Sequence, residues 1–414
     1  MQELGKHGET EERNRKDPLM SLPLDGIRVI DFGQIYAAPY CTMQLAYLGA
    51  DVIKIEPPRT GDVLRRPDLP PGGAGYSFLM LNAQKRSVTL NLKLRRAQQI
   101  ALQLIEGADV LVENFLDGVM ESFGLGYAQL AERFPRLIYA CGKGYGSDSR
   151  WARLGSMDNT IQASSGFISI TGFPDRAVKT SATFIDMGTG SHLVSGILAA
   201  LIQRGRTGRG QKVEIAMIDV AVPALTSAVA PTLQGLKFKR LGNRHWGACP
   251  TNVYPACDGE ILIFCLTEVH WRTIARLIRR EDLLSDPRCA SHATRLRIAD
   301  ELDGLMSAWT RTRPRNEIIA LLMEAGVPCA PVRQLDEVVA DPEMVTRGTL
   351  VESDFPTRGP IRVAGSPLKL SDAPQPQPGQ LRRPPELGEH TREVLASIGI
   401  GAEELDQLRA ADVV

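Results

Sequence analysis

The residue with the clearest chemical potential is Asp186, which stands in the segment Ile185-Asp-Met-Gly-Thr-Gly190 before an apolar run. The pattern from Ser181 to Arg204 predicts a strand, a glycine-rich turn that contains Asp186, and a helix. Asp is a preferred N-cap, so a purely structural role is one interpretation. The other is a reactive carboxylate, because the dipole and free N–H groups of a helix N-terminus favour negative charge. This segment alone leaves both interpretations open.

Other polar residues are weaker candidates. Asp158, in Ser156-Met-Asp-Asn-Thr-Ile161, also fits a helix N-cap. Arg244 and His245 lie in a loop whose composition fits ligand binding and an ordinary loop equally well. The basic residues Lys54, Arg59, Lys85, Arg86 and Lys93 all fall in the N-terminal region that has a nucleotide-binding-like pattern. Scattered lysines usually face solvent, although a phosphate-bearing ligand would need several such groups near one sheet edge.

The elements that must position these residues begin with a strand–helix–strand pattern. Ile27 to Phe32 and Ala50 to Glu56 are β-rich runs, and Ala37 to Leu48 between them is helical in pattern. Such a unit implies a parallel sheet. The turn from Asp31 to Pro39 lacks G-x-G-x-x-G, which argues against a dinucleotide site. Further alternation predicts a doubly wound α/β fold for about the first 200 residues.

Domain organisation follows from shifts in this pattern. The sequence predicts a disordered tail at 1–19, the N-terminal part of a large domain at 20–222, a linker helix at 223–241, a small α+β domain at 242–330, and a linker that returns to the large domain at 331–414.

Composition excludes several classes of partner. Lys plus Arg and Asp plus Glu both number 48, so no global field favours nucleic acid or an acidic membrane. The longest apolar run, Leu193 to Ile202, is about half of what a membrane span needs. Seven cysteines without a C-x-x-C pair predict reduced thiols and a cytoplasmic protein. No spacing typical of a metal site occurs, so we expect no metal.

Seven segments together resemble the class III CoA-transferases, the family of formyl-CoA transferase and carnitine CoA-transferase that also includes α-methylacyl-CoA racemase. They occur in the family's order from residue 23 to the C-terminus. The segments are Pro23-Leu-Asp-Gly-Ile-Arg-Val-Ile-Asp-Phe32, Leu48-Gly-Ala-Asp-Val-Ile-Lys-Ile-Glu-Pro57, Asn82-Ala-Gln-Lys-Arg-Ser87, Ala108-Asp-Val-Leu-Val-Glu-Asn-Phe115, Ile185-Asp-Met-Gly-Thr-Gly190, Thr207-Gly-Arg-Gly-Gln211 and Gly388-Glu-His-Thr391.

The resemblance implies a Rossmann-like large domain with a parallel sheet, a smaller α+β domain, and an interlocked homodimer. It implies that Asp186 is the nucleophile. The residues it implies as CoA contacts are Tyr36, Ala37, Leu90, Lys93, Asn114, Phe115 and Asp158. Pro57 and Ser122 stand where the family often has Arg, so Arg59 or Lys93 would have to meet the phosphates.

The implied reaction is covalent transfer of CoA from an acyl-CoA to a small carboxylic acid, with acyl-CoA as substrate and no permanently bound cofactor. The Asp186 carboxylate would form a mixed anhydride and then a thioester. A carboxylate is a weak nucleophile, so an oxyanion site is needed, for which we predict the backbone of Gly188 and Gly190. The loop Asn243 to Cys249 has only one internal Gly, which argues against formate and oxalate. Arg244 and His245 favour a dicarboxylic substrate such as succinate, whereas Trp246 favours a bulkier acyl chain, and the sequence leaves both open.

Two other functions compete with transfer. A racemase needs two proton-transferring groups on opposite faces of the α-carbon, and in the family a His directly before the second acid provides one. Met157 stands at that position and cannot move a proton, which favours transfer. A CoA-binding protein without catalysis is the second alternative, and the intact Asp186 argues against it.

Overall fold

A computed structural model describes residues 22–65, 75–355, 359–373 and 381–414. The predicted tail at 1–19 lies outside these ranges. The chain divides into two compact units. The first takes its described residues from Met1–Ser165, Ser181–Thr226 and Pro342–Val414, and the second comprises Gly166–Thr180 and Ser227–Asp341. The second unit is larger than the predicted small domain at 242–330, because it also includes residues 166–180, 227–241 and 331–341.

The described strands are β1 (Arg28–Asp31), β2 (Asp51–Glu56), β3 (Arg86–Thr89), β4 (Val110–Glu113), β5 (Ile138–Lys143), β6 (Gly172–Phe173), β7 (Arg176–Ala177), β8 (Lys212–Ala216), β9 (Thr251–Ala256), β10 (Gly259–Phe264), β11 (Cys329–Val332), β12 (Leu350–Phe355) and β13 (Gly359–Ala364).

The described α-helices are α1 (Ala37–Tyr47), α2 (Tyr76–Leu81), α3 (Arg95–Glu106), α4 (Val119–Ser122), α5 (Tyr127–Arg133), α6 (Asp158–Ser164), α7 (Phe167–Ile170), α8 (Phe184–Thr207), α9 (Met217–Ala224), α10 (Thr226–Leu233), α11 (Glu268–Leu277), α12 (His292–Arg295), α13 (Ala299–Thr310), α14 (Arg315–Glu324), α15 (Leu335–Ala340), α16 (Pro342–Thr346), α17 (Thr391–Ala396) and α18 (Ala402–Ala410). Short 3₁₀ helices cover Val63–Arg65, Glu281–Leu284, Pro287–Cys289 and Leu296–Ile298.

The first unit is built on a six-stranded sheet in the order β3-β2-β1-β4-β5-β8, in which every neighbouring pair is parallel. The predicted parallel α/β fold is therefore confirmed. The chain runs outward from β1 to β3 and then returns to β4 on the other side of β1. In open α/β sheets, ligands bind beyond the carboxyl ends of the strands at this reversal of direction.

Both faces of this sheet are buried, as a parallel sheet with helices on each side requires. Successive residues of a strand point to opposite faces. Ile30 of β1 thus packs with α3, α17 and α18 on one face, while Val29 packs with α1 and α8 on the other. This alternation explains why the strands are almost continuously apolar in sequence.

Helix α8 is the longest described helix, with 24 residues, and ends where Gly208 takes the left-handed conformation. By length and composition alone it is apolar enough to cross a membrane. However, its apolar face, which includes Leu193 and Ile197, is buried in the core beside β4 and β5. It is therefore a core helix of the first unit.

The second unit has its own core and a three-stranded antiparallel sheet in the order β11-β10-β9. Tyr254 and Ile261 of this sheet pack with Trp271 of α11 and Ile318 of α14. The unit therefore has the α+β character that the sequence predicts for this region.

Two predicted elements are wrong. No strand precedes Asp186, because residues 181–183 are irregular and α8 already begins at Phe184. A continuous linker helix at 223–241 is also absent: α9 ends at Ala224, α10 ends at Leu233, and residues 236–241 have no helical structure. Each of the two short helices contains a proline, Pro223 and Pro231, a residue that disfavours a long continuous helix.

Candidate active site

A cavity of about 630 Å³ lies beyond the carboxyl ends of β1 to β5. Its size is within the usual range of small-molecule sites. Each of the five strands contributes the segment that follows it. These segments include Gln34, Tyr36 and Ala37 after β1, Glu56 and Pro57 after β2, Leu90 and Lys93 after β3, Asn114, Phe115 and Asp117 after β4, and Lys143 and Gly144 at the end of β5.

Asp186 lines this cavity from the first turn of α8. Its side chain is not the N-cap, a position that Thr183 occupies. The residue is only 9% exposed, and none of the described residues donates a hydrogen bond to its carboxylate. Burial, followed by the nearby negative charge of Asp158, raises the pKa of Asp186 to about 7. Two other carboxylates line the cavity, but Glu56 pairs with Arg65 and Asp117 pairs with Lys143.

Asp158 lies behind Asp186, in the first turn of α6. Its Oδ2 atom accepts hydrogen bonds from the backbone N–H of Ile185 at 2.9 Å and of Asp186 at 3.1 Å. Gln162 donates to Oδ1 at 2.6 Å. The residue is 4% exposed and is not among the residues that line the cavity. In the structure the described contacts of Asp158 are to protein, and its role as a CoA contact stays a prediction.

Gly188 and Gly190 lie inside α8, where backbone N–H groups bond to carbonyls four residues earlier. The predicted oxyanion role of these amides is therefore wrong, since a helix interior leaves them no free N–H. The structure shows a packing reason for Gly190 instead. A Cβ atom there would lie 2.6 Å from the carbonyl oxygen of Ala37, so the missing side chain lets α8 approach the start of α1.

The turn between β1 and α1 carries Tyr36 and Ala37 and is held rigidly. Ile35 has a left-handed backbone, with φ of 67°, which is rare for a β-branched residue and marks a strained site. The side chain of Asn114 accepts from the N–H of Gln34 at 2.8 Å and donates to its carbonyl at 2.9 Å. Asn114 therefore braces this turn as well as lining the cavity.

Two fully buried ion pairs support the same turn from below. Lys85 pairs with Asp31 at 3.0 Å and donates to the carbonyl of Pro39 at 2.9 Å. Lys54 pairs with Asp62 at 3.0 Å and donates to the carbonyl of Gly33. Burial lowers the pKa of Lys85 to about 8, although Asp31 raises it. Sequence reasoning missed these pairs, because their partners lie far apart along the chain.

The two cations that line the cavity differ in their pairing. Lys143 is engaged with Glu113 and Asp117. Lys93 is exposed and has no ion pair within the described residues, so it remains available for an anionic ligand. Arg59, the other predicted phosphate contact, pairs with Asp412, is 79% exposed at its side chain and does not line the cavity.

The predicted substrate residues Arg244 and His245 belong to the second unit. The Arg244 guanidinium pairs with Asp300 and, at 2.7 Å, with Asp303. The His245 ring stacks edge-on against Phe264, and burial, followed by the charge of His292, lowers its pKa. Their role toward a substrate stays a prediction.

Several cavity residues were not predicted from the sequence. Gln34, Thr189 and Met217 line the cavity beside the residues named above. Thr189 lies one helical turn after Asp186, which a helical interpretation of this segment would have indicated. Met217 begins α9 directly after β8, and no sequence signal marks it. Among the described residues, no group of three or more His, Cys, Asp or Glu side chains is arranged to hold a metal ion.

Comparison with known proteins supports the resemblance to CoA-transferases over nearly the whole chain. The model of CoA-transferase family III matches residues 24–391. The chain is 36% identical to the formyl-CoA:oxalate CoA-transferase of Streptomyces avermitilis, over 95% of this chain and 100% of that relative. It is 34% identical to the enzyme of the same description from Afipia carboxidovorans, over 92% and 94%.

Two solved structures have a fold similar to that of this chain. A CAIB/BAIF family protein from Brucella suis superposes with a TM-score of 0.81 at 32% identity, over 92% of this chain and 100% of the other. The hypothetical protein Rv3272 from Mycobacterium tuberculosis gives a TM-score of 0.78 at 29% identity, over 91% and 99%.

Proposed function

The chain belongs to CoA-transferase family III, and we propose that it transfers CoA from an acyl-CoA to a small carboxylic acid through a covalent intermediate on Asp186. As a class III CoA-transferase it acts on CoA thioesters. One observation carries the proposal for Asp186. Of the three described carboxylates that line the cavity, it is the one without a cationic partner.

The proposed reaction begins when a carboxylate oxygen of Asp186 attacks the carbonyl carbon of the acyl-CoA. The carbon–sulfur bond breaks, CoA leaves as a thiolate, and an aspartyl–acyl anhydride forms. The thiolate then attacks the aspartyl carbonyl, which releases the donor acid and leaves CoA as a thioester on Asp186. Holding the partners together is what makes a weak nucleophile effective.

The second half repeats these steps with the acceptor acid. Its carboxylate attacks the aspartyl thioester and displaces CoA thiolate, which gives a new anhydride. Attack of the thiolate on the acceptor's carbonyl forms the product acyl-CoA and regenerates the Asp186 carboxylate. The first attack needs the Asp186 carboxylate ionised, so its pKa of about 7 predicts that activity falls in acid.

Two observations bear on which carboxylic acids exchange CoA. The relatives described as formyl-CoA:oxalate CoA-transferases support small acids such as formate and oxalate. The sequence-based expectation for Arg244 and His245 supports a dicarboxylate such as succinate. Arg244 is already paired with Asp300 and Asp303, so we place a one- or two-carbon acid first and a larger dicarboxylate second.

The assembly and location are also proposals. We propose an interlocked homodimer in the cytoplasm, which rests on the family resemblance and on the cysteine content. Mass photometry of the purified protein would test the dimer, and cell fractionation would test the location. A monomer at all concentrations or recovery with membranes would contradict these two proposals.

A CoA-exchange screen tests the reaction. Wild type, Asp186→Ala and the control Asp219→Ala are mixed with formyl-, acetyl- or succinyl-CoA and a panel of acids, and new thioesters are detected by mass spectrometry. Asp219 is an exposed acid in the first turn of α9 that does not line the cavity. We expect exchange by wild type and Asp219→Ala and none by Asp186→Ala. Hydroxylamine should release CoA from a trapped wild-type adduct.

Three results would contradict the proposal. Exchange by Asp186→Ala at the wild-type rate would exclude Asp186 as nucleophile. Loss of the α-proton from a 2-methylacyl-CoA without exchange would identify a racemase. Binding of CoA without any conversion would identify a protein that binds CoA but does not catalyse its transfer.

A further inference from the structure

Asp158 has a set of contacts that the transfer steps above do not use. It is a buried acid without a cationic partner in the described chain, and its carboxylate is directed at the N-terminus of the helix that carries Asp186. We infer that Asp158 is a positioning residue for the Asp186 nucleophile: it fixes the first turn of α8 and places a second negative charge beside the reacting carboxylate. This inference rests on the proposed role of Asp186.

The first step of the argument concerns the free N–H groups of α8. The first turn of a helix has N–H groups without intrahelical partners. Thr183 is the N-cap of α8, but its side chain forms no capping hydrogen bond. Asp158, 27 and 28 residues away in sequence, instead accepts from the N–H groups of Ile185 and Asp186. A carboxylate from another helix thus replaces the local cap.

The second step concerns the hydrogen bonds that the Asp186 carboxylate does not receive. A helix N-terminus is a natural site for an anion, because its N–H groups and dipole stabilise negative charge. Asp158 occupies that site and receives a third hydrogen bond from Gln162. Asp186 lies in the same helical turn, yet its carboxylate receives no hydrogen bond from the described residues. The stabilisation available at this helix end therefore goes to the acid that does not react.

The third step concerns charge. The elements packed against α8 are α1, α6, α9, β5 and β8. The titratable groups on these elements are Tyr40, Cys41 and Tyr47 in α1, Asp158 in α6, Asp219 in α9, Tyr139, Cys141 and Lys143 in β5, and Lys212 and Glu214 in β8. Of these, Asp158 is the group whose charge raises the pKa of Asp186, after the larger effect of burial. A neighbouring like charge disfavours ionisation, and a carboxylate of higher pKa is a stronger nucleophile.

Asp158→Asn is the informative variant, because it keeps the size and an acceptor oxygen but removes the charge. We expect the acid limb of the kcat/KM profile to move down by about one pH unit, while the KM for acyl-CoA stays within about twofold, since Asp158 does not line the cavity. At pH values below the midpoint of the wild-type acid limb, kcat/KM should then be higher for the variant than for wild type. Asp158→Ala, which also loses the hydrogen bonds, should lose at least about tenfold in kcat.

The matched control is Asp286→Asn. Asp286 also accepts a hydrogen bond from a helix-start N–H, that of Arg288, but in the second unit. Its replacement should leave the pH profile unchanged. If Asp158→Asn lowers the melting temperature but leaves the acid limb of the pH profile unchanged, Asp158 is a structural helix cap and nothing more. A large rise in KM for acyl-CoA would make it a substrate contact, and either result would overturn the inference.

A second measurement separates this inference from the proposed reaction. Carbodiimide couples an amine to protonated carboxyl groups, and labelling of Asp186 as a function of pH can be read by peptide mass spectrometry without any turnover. We expect a wild-type midpoint near 7 and a lower one in Asp158→Asn. Equal midpoints in the two proteins, or a wild-type midpoint near 4, would refute the role of Asp158 even if CoA exchange is established. If the variant does not fold, a wild-type midpoint near 4 still refutes the inference.

Discussion

The carboxylate of Asp186 is buried beside a second carboxylate, so its ionisation costs free energy in the folded protein. Its pKa is about 7 in the folded state, against about 3.9 for an unperturbed Asp. Between these values the folded protein holds a proton that the unfolded chain has released. The contribution of Asp186 to the free energy of unfolding therefore decreases as the pH rises from about 4 to about 7.

Replacing this residue should stabilise the protein. We expect Asp186→Asn to raise the free energy of unfolding by a few kcal/mol at about pH 8, and by much less near pH 4, where the wild-type group is protonated when folded. Urea unfolding at both pH values measures this. Asp219→Asn, at an exposed position, should behave as wild type. A variant that is less stable than wild type at pH 8 would contradict the raised pKa.

Lys93 should contribute to the binding of CoA through its charge. It lines the cavity and has no ion pair in the described chain, whereas phosphate groups attract such cations. We expect Lys93→Ala to raise the KM for acyl-CoA several-fold, with a smaller effect at high salt because screening weakens the wild-type contact. Steady-state kinetics at two ionic strengths would measure both effects.

Arg59→Ala is the matched control for Lys93. Its guanidinium pairs with Asp412 and lies outside the cavity lining, so its removal should leave the KM unchanged. A larger effect from Arg59 than from Lys93 would show that the wrong cation had been assigned to the phosphates.

At the scale of single residues, the sequence identifies the reacting group better than its surroundings. Most cavity residues lie directly after predicted strands, so local patterns place them at one edge of the sheet. Asp186 is an exception, because the strand predicted before it is absent and the residue lies in the first turn of α8. The contact from Asp158 to the N–H of Asp186 spans 28 residues, and no local pattern encodes it. The same limit applies to the ion pair between Asp31 and Lys85, which are 54 residues apart.

Among the secondary-structure elements, the contact between α8 and α1 fixes the geometry of the site. Helix α1 follows the turn that carries Tyr36, and α8 carries Asp186, so their separation sets the distance between the two sides of the cavity. Gly190 lies at the closest approach, where a Cβ would be 2.6 Å from a backbone carbonyl oxygen. A backbone atom cannot move aside without shifting its helix.

Gly190→Ala should therefore lower the free energy of unfolding by more than the gain in helix propensity can offset. The same change should also lower kcat/KM. Gly205→Ala is the control, because a Cβ at Gly205 in the same helix meets nothing within 4 Å. That change should stabilise the protein by about 0.5–1 kcal/mol and leave kinetics unchanged. Thermal unfolding and CoA exchange of both variants test this, and similar behaviour of the two would remove the packing argument.

The predicted elements show where sequence patterns succeed. Strands such as β4 are short apolar runs between polar boundaries, which the sequence pattern predicts. The pattern also predicts a strand before Asp186, yet α8 begins there, where Asp158 caps it from another helix. The pairing of Ser87 with Gly388 and His390 also depends on the fold, and it brings the C-terminal segment back to the first unit.

At the scale of the whole molecule, two units have separate cores. The first is packed on both faces of the parallel sheet, and the second is packed around Trp271 and the antiparallel sheet. Three of the four tryptophans, Trp246, Trp271 and Trp309, lie in the second unit, and Trp151 lies in the first. Units with their own cores can unfold in separate steps.

We therefore expect unfolding in two steps that spectroscopy can assign. In Trp151→Phe, tryptophan fluorescence reports only the second unit, whereas far-UV circular dichroism reports both. The described residues that line the cavity all belong to the first unit, so acetyl-CoA at about 100 times its Kd should stabilise that unit by about 2.7 kcal/mol. The circular dichroism step of the first unit should then move to higher temperature while the fluorescence transition stays in place. A single transition that coincides for both probes, and moves as one with ligand, would mean that the two cores unfold together.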